Sequence, residues 1–202
     1  FGTDLSADLV RRDFTINAMA AALPSGEVVD LFGGVEDLRE GVLRTPRSPQ
    51  ESFSEDPLRM MRAARFAARF NLRVAPEVFE AMREMAGRIE IISAERVRDE
   101  LVKLIDADYP RVGLNLLVDT GLADYVLPEL PALRMEMDPA HHHKDVYEHS
   151  LKVLEQAMEK ETDEDGPCPA PDFILRFAAL MHDIGKPKTR KFEKDGSVSF
   201  LH

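Results

Sequence analysis

Glu55-Asp56-Pro57-Leu58-Arg59-Met60-Met61-Arg62-Ala63-Ala64-Arg65-Phe66-Ala67-Ala68-Arg69-Phe70 decides how this chain folds. Pro57 follows an acid pair and suits a first helical turn, where a missing N–H costs nothing. Arg59, Arg62, Arg65, Arg69 and Arg73 then recur at steps of three or four. At about 100° per residue they fall within roughly a third of the helix circumference. Met60, Met61, Ala63, Ala64, Phe66, Ala67 and Phe70 occupy the rest, and no carboxylate lies between Asp56 and Glu77. A solvated face usually mixes signs at i,i+4. The row is therefore expected to hold something anionic and planar; the plainer alternative is a solvated face that happens to be basic.

Working outward, the 202 residues carry a hydrophobic fraction of 44% and a charged fraction of 31%, those of a soluble globular protein. The length suits one large domain or two small ones. No apolar run approaches the ~20 residues of a membrane span, and no secretory leader is visible. Cys168 is the one cysteine, which excludes an intramolecular disulfide and fits a reducing compartment, the cytoplasm. It stands among Pro167, Pro169 and Pro171 and reads as a loop thiol. A net charge of −11 does not advertise nucleic-acid binding. The charge is uneven, however: every base before Lys103 is arginine, the residue suited to bidentate phosphate contact.

Asp8 to Leu23 has helical apolar spacing, stopped by Pro24-Ser25-Gly26. Glu27 to Phe32 reads as a strand closed by Gly33-Gly34, followed by a brief helix from Val35 to Arg39 and a strand around Val42 to Arg44. Thr45 to Ser54, with Pro46 and Pro49, reads as a loop or hinge. From Glu55 to about Leu130 the pattern is helical, with Ser93 a candidate N-cap. A connector follows over Pro131 to Pro139, and a second helical module starts near Asp145. Glu161 to Pro171 is a loop, and Arg190 to Leu201 alternates about Asp195-Gly196 as a hairpin would.

Two constellations carry chemistry. In Arg11-Arg12-Asp13-Phe14-Thr15-Ile16-Asn17, the residues Arg12, Asp13 and Asn17 can share a neighbourhood. Arginine favours phosphate, while aspartate and asparagine suit a ribose hydroxyl. A buried arginine–aspartate structural pair would look the same. The second constellation is His149 with the adjacent pair His182-Asp183, both on predicted helices. Facing helices can bring such nitrogen and carboxylate donors around one divalent ion, although a lone histidine on an apolar face is more often a core residue. His141, His142 and His143 read as a solvated loop cluster.

Arg11 to Ala20 resembles a motif of the class II tRNA nucleotidyltransferases (CCA-adding enzymes) and the related bacterial poly(A) polymerases. Asp30 to Leu38, Glu55 to Arg59, and Ser93 to Arg96 with Glu100-Leu101 are similar to the family's next blocks, in family order. The resemblance implies a mostly α chain. Residues 1–47 would be the C-terminal remnant of an α/β nucleotidyltransferase head. Residues 48–138 would be a helical neck and body for nucleotide templating and RNA binding, and 139–202 the start of an all-α HD domain. It implies that Asp56 and Arg59 read the Watson–Crick edge of CTP or ATP and that Arg62 and Arg65 hold the nucleotide. Arg12 would bind triphosphate and Asp13 the ribose, with Asn17 in support. Cytosine and adenine each present an amine beside an acceptor nitrogen, so one Asp/Arg pair could read both. The family's catalytic centre, a Gly-rich loop and two strand carboxylates holding Mg²⁺, is expected upstream of Phe1. The chain as given is accordingly expected to be inactive alone.

Ala179-Leu180-Met181-His182-Asp183-Ile184-Gly185-Lys186 resembles the HD superfamily of metal-dependent phosphohydrolases. That resemblance implies a divalent metal held by His149, His182 and Asp183, with His202 a further candidate ligand and a last aspartate expected beyond it. The leading expectation is an RNA nucleotidyltransferase adding C and A to tRNA 3′ ends, with tRNA, CTP and ATP as partners. A poly(A) polymerase, or an enzyme adding only A or only CC, is the nearest alternative. An HD phosphohydrolase with a vestigial RNA-binding half, or a non-catalytic RNA-binding protein, would be a different class.

Overall fold

The structure, a computed structural model, describes residues 4–134, 146–162, 165–192 and 198–200. The chain divides into two compact units, Phe1–Tyr125 and Val126–His202. Both are mostly α, as the periodicity predicts, with three two-stranded sheets among the described residues.

The first unit opens differently from expectation. In place of one helix over 8–23 there is a short α1 (Leu5–Leu9), a 3₁₀ turn (Thr15–Asn17) and β1 (Met19–Ala21). The polar side chains and a neighbouring strand divert the backbone. Thr15 donates its N–H to the Arg44 carbonyl (2.9 Å) and its hydroxyl to Asp37 (2.6 Å), and the Asn17 side chain accepts from the Phe14 N–H (3.1 Å). β1 pairs antiparallel with β2 (Val28–Asp30), Met19 opposite Asp30. Asp30 then accepts from the N–H groups of Gly34 and Val35 (both 2.9 Å), which holds its carboxyl below the usual range. α2 (Gly34–Glu40) lies so close to the 3₁₀ turn that a Cβ on Gly34 would stand 2.2 Å from the Thr15 carbonyl oxygen.

β3 (Val42–Leu43) leads into a segment expected to be a loop, where α3 (Pro49–Glu55) forms instead. Ser48 caps it by accepting from the Glu51 N–H (3.2 Å), and Pro49 occupies its first turn. Proline there reads as a breaker by composition but is a helix starter by position. α4 (Leu58–Phe70) follows and is the centre of the unit, burying Met60, Met61, Ala63, Ala64, Ala67 and Ala68. Asn71, with φ 52°, ends it, so Arg73 leaves the helical row and lies on β4 (Arg73–Val74), parallel to β3.

α5 (Pro76–Met85), a 3₁₀ segment (Ala86–Ile91), α6 (Ala94–Ile105), α7 (Pro110–Asp119) and α8 (Ala123–Val126) continue the chain. Ser93 stands at the N-cap of α6 without a side-chain hydrogen bond to its first turn. α6 and α7 pack on α4. At the α4–α7 crossing a Cβ on Gly113 would lie 2.5 Å from the Ala64 carbonyl oxygen and 3.0 Å from the Ala68 Cβ.

The second unit contains α9 (Glu129–Ala132), α10 (Val146–Met158), α11 (Phe173–Met181) and α12 (Lys186–Thr189). β5 (Arg190–Phe192) pairs antiparallel with β6 (Val198–Phe200), the predicted hairpin strands; Asp195-Gly196 lies outside the described residues. α10 packs on α11 around buried Tyr147, Leu151, Leu154 and Leu180. Between them the predicted loop is held by a two-pronged pair, Arg176 Nε to Glu161 Oε1 (2.6 Å) and Nη2 to Oε2 (2.7 Å). Asp172 caps α11 through the Leu175 N–H (3.0 Å) and accepts from the Cys168 thiol (3.2 Å), a bond that pushes the thiol pKa up. Among the described residues no helix is long and apolar enough to cross a membrane.

Candidate nucleotide site and candidate metal centre

The arginine row is neutralised from outside the helix that carries it. Arg59 is 8% exposed, at the start of α4. Its Nη1 donates to the Ser52 hydroxyl (3.0 Å) and to Glu55 (3.1 Å), and its Nη2 donates to the Arg11 carbonyl (2.7 Å). Its Nε lies 3.3 Å from Asp13 Oδ1, and Arg62 Nη2 lies 2.6 Å from Asp13 Oδ2. Asp13, 7% exposed, is thus clamped between two arginines. Glu55 also pairs with Arg47. The Nε of Arg62 is buried without a hydrogen-bond partner. Arg65 donates from Nε to buried Glu100 (2.6 Å), with its guanidinium 4.5 Å from the centre of the Phe66 ring. Arg69 meets Asp108 at 3.5 Å, both exposed.

Asp56, between α3 and α4, is part-exposed. Its Oδ1 accepts from the Leu58 N–H (3.2 Å) and its Oδ2 from Arg96 Nη2 (3.3 Å). Arg12 forms an exposed pair with Asp8 (3.1 Å). Of the seven nucleotide candidates, then, Asp13, Arg59 and Arg62 meet directly. Asp56, Arg65 and Arg12 each have a partner elsewhere, and the Asn17 side-chain carbonyl accepts from the Phe14 N–H. Ser52, Glu55, Arg96 and Glu100 were not among the candidates. Glu55 was legible at i,i+4 from Arg59, whereas the Arg65–Glu100 and Asp56–Arg96 pairs join residues 35 and 40 positions apart.

In the second unit, His149 on α10 meets His182 and Asp183, which follow α11. One ligand atom from each lies within 4.8 Å of the others. His182 Nδ1 is 2.8 Å from the Ala179 carbonyl. A carbonyl only accepts, so Nδ1 carries the proton and in the neutral ring Nε2 has a lone pair. Nε2 lies 3.2 Å from Asp183 Oδ2, and Lys186 Nζ approaches the same oxygen at 2.7 Å. Two histidine nitrogens and a carboxylate converging this way fit a divalent cation. His202 and His141 to His143 lie outside the described residues.

Comparison with known families gives three modules in chain order. Residues 1–44 match the "Poly A polymerase head domain", 71–133 the "Probable RNA and SrmB- binding site of polymerase A", and 146–201 the "HD domain". This is the modular class of an RNA nucleotidyltransferase joined to an HD domain, and both kinds of domain use divalent metals. The multifunctional CCA protein of Nitrosococcus oceani is 42% identical over 94% of this chain and 44% of its own length. The A-adding tRNA nucleotidyltransferase of Deinococcus radiodurans is 38% identical over 98% of this chain and 45% of its own. The crystal structure of the Bacillus stearothermophilus CCA-adding enzyme in complex with CTP is 30% identical, with a TM-score of 0.71 over 93% of this chain and 42% of that one. The chain belongs to the family of CCA-adding tRNA nucleotidyltransferases and poly(A) polymerases that carry an HD domain. It spans less than half the length of these relatives.

Proposed function

We propose that this chain is part of an RNA nucleotidyltransferase that adds C and A, from CTP and ATP, to the 3′ end of tRNA in the cytoplasm. The observation that carries the reading is the Asp13 clamp. It ties the head remnant to the first turns of α4, where the arginine row meets a part-exposed carboxylate, Asp56. In this reading residues 1–47 belong to the head, 48–138 to neck and body, and 139–202 to the HD domain. Asp56 and Arg59 face the base, Arg62 and Arg65 hold the nucleotide, and Arg12 meets the triphosphate with Asn17 nearby. A ribose hydroxyl on Asp13 would share oxygens already engaged by two arginines. Arg59 has little donor capacity left, since its internal partners already take most of its N–H groups. Nucleotidyl transfer would use Mg²⁺. In the HD domain a divalent ion would be held by His149, His182 and Asp183, with His202 as a further ligand, and would supply an activated water for phosphate-ester hydrolysis.

The Deinococcus relative favours one specific second reading, addition of A alone. The test is a full-length protein carrying this chain, supplied with tRNA lacking its terminal nucleotides and with each of the four nucleoside triphosphates. Incorporation of C, C and A in turn is the expected result. Incorporation of A only onto tRNA already ending in CC selects the second reading, and no incorporation overturns both.

A further inference from the structure

The turn that follows α11 delivers an anion and a cation to one place. Asp183 and Lys186 stand three positions apart in it, and the Lys186 N–H donates to the Asp183 carbonyl (3.0 Å). The Lys186 Nζ then donates to Asp183 Oδ2 at 2.7 Å. That oxygen also faces both imidazoles, 3.2 Å from His182 Nε2 and 3.9 Å from His149 Nε2. The ammonium therefore occupies the carboxylate oxygen that converges with the two histidine nitrogens. Carboxylate–metal bonds run at about 2.0–2.2 Å, so an ion on Oδ2 would stand no more than about 5 Å from Nζ. A single and a double positive charge repel strongly at that separation, even at an effective dielectric constant of about 20. The Asp183 side chain is 14% exposed and that of Lys186 35%, so water screens the pair only in part.

We propose that Lys186 is the resident counter-ion of Asp183 and that a divalent metal binds by exchange with it: the ammonium leaves Asp183 Oδ2 as the ion takes that oxygen. This rests on the ligand set proposed above. The His182 side of the site needs no such step, because its ring is already oriented through Nδ1–H on the Ala179 carbonyl (2.8 Å). Lys186 has a flexible four-carbon stem and can swing away without moving the turn that carries it. Its presence lowers the metal affinity of the site, since the ion binds only the fraction of molecules in which the pair is open. The same pair compensates a part-buried carboxylate while the unit folds, so folding does not wait on the ion.

The test uses a full-length protein carrying this chain, with Mn²⁺ alone as the probe. Bound Mn²⁺ is counted by the loss of the free-ion electron paramagnetic resonance signal, and the site at issue is the one that Asp183→Ala removes. Lys186→Met is expected to tighten Mn²⁺ binding at that site by about five- to tenfold, through one part-exposed ion pair no longer opened and one repulsion removed. Lys186→Gln, also uncharged, should do the same, and Lys186→Arg, which keeps the charge, should stay within about twofold of wild type. A gain of affinity cannot come from a misfolded variant, which would lose the site. Thermal unfolding of the second unit supplies a second readout. Metal-free Lys186→Met should unfold at a lower temperature than wild type, and at saturating Mn²⁺ that gap should close, because the loaded wild type has given up the pair. Unchanged or weaker Mn²⁺ binding in both uncharged variants overturns the exchange while sparing the ligand set. A gap that persists at saturating Mn²⁺ does the same, since Lys186 would then stay on Asp183 beside the ion. Equal Mn²⁺ binding by wild type and Asp183→Ala overturns both.

Discussion

The arginine lattice at the start of α4 and the histidine–aspartate cluster after α11 handle charge in opposite ways. In the first, each buried or half-buried arginine has been given its counter-charge by the fold: Arg59 and Arg62 by Asp13, and Arg65 by Glu100. In the second, His182 Nε2 stands 3.2 Å from Asp183 Oδ2, and Lys186 Nζ approaches the same oxygen at 2.7 Å. The lattice is finished by folding alone. The proposed metal cluster has one partner from the fold, Lys186, and a cation from solution would complete it. A site of the first kind should lose stability when cut, and one of the second kind should lose binding.

Asp13→Ala should show the largest stability effect. It leaves Arg59 buried with one counter-ion fewer and Arg62 with none, so the first unit should lose about 3–5 kcal/mol in urea or guanidinium unfolding. A loss below about 1 kcal/mol would mean that Glu55 and water compensate and that the lattice is not integral to the fold. Next comes the two-pronged Arg176–Glu161 pair, a lattice-type contact inside the second unit. Arg176 holds the Glu161 carboxyl below its ordinary value near 4.5. Folding therefore gains from this pair above that pH and loses the gain as pH falls through the lowered folded-state pKa. Glu161→Gln should flatten the acid side of the stability profile of this unit. An unchanged profile would assign the acid sensitivity to other carboxyls.

Asp183→Ala should divide the two regions most sharply. Added Mn²⁺ should raise the unfolding temperature of the wild-type second unit by mass action and leave that of the variant unmoved. Equal Mn²⁺ stabilisation of both would remove Asp183 from the ligand set. Arg12→Ala should do least. Its pair with Asp8 is exposed, so stability should change by about 0.5 kcal/mol or less in the same denaturation assay, while triphosphate affinity falls if Arg12 meets that group.

The same contrast explains what could be read in advance. The convergence of His149, His182 and Asp183 was legible because its signal is local: His182 and Asp183 are adjacent, and His149 stands on a helix packed against theirs. The arginine row was legible as a row, but its neutralisation was not. Asp13 stands 46 positions before Arg59 in the chain, and nothing in helical periodicity announces that meeting. Reading the row as an open anion-binding face followed from counting carboxylates only along α4. The failed helix over residues 8–23 has a related cause. Its apolar spacing was real, but Thr15, Asn17 and the pairing of β1 with β2 captured the backbone groups that a helix would have used. At α3 the error was one of position: Ser48 followed by Pro49 is a start signal, easily mistaken for loop composition.

One contact bears on how the proposed site could respond to a ligand. Gly113 lets α7 rest directly on the backbone of α4 at Ala64 and against the Ala68 methyl. A helix seated backbone to backbone cannot roll about its axis without driving main-chain atoms into one another. Adjustment at the N-terminal end of α4 therefore falls to side-chain rotation at Asp56, Arg59 and Arg62. In the proposed reading, the helix is the fixed scale against which a small displacement of the Asp56 carboxylate would become a difference between bases.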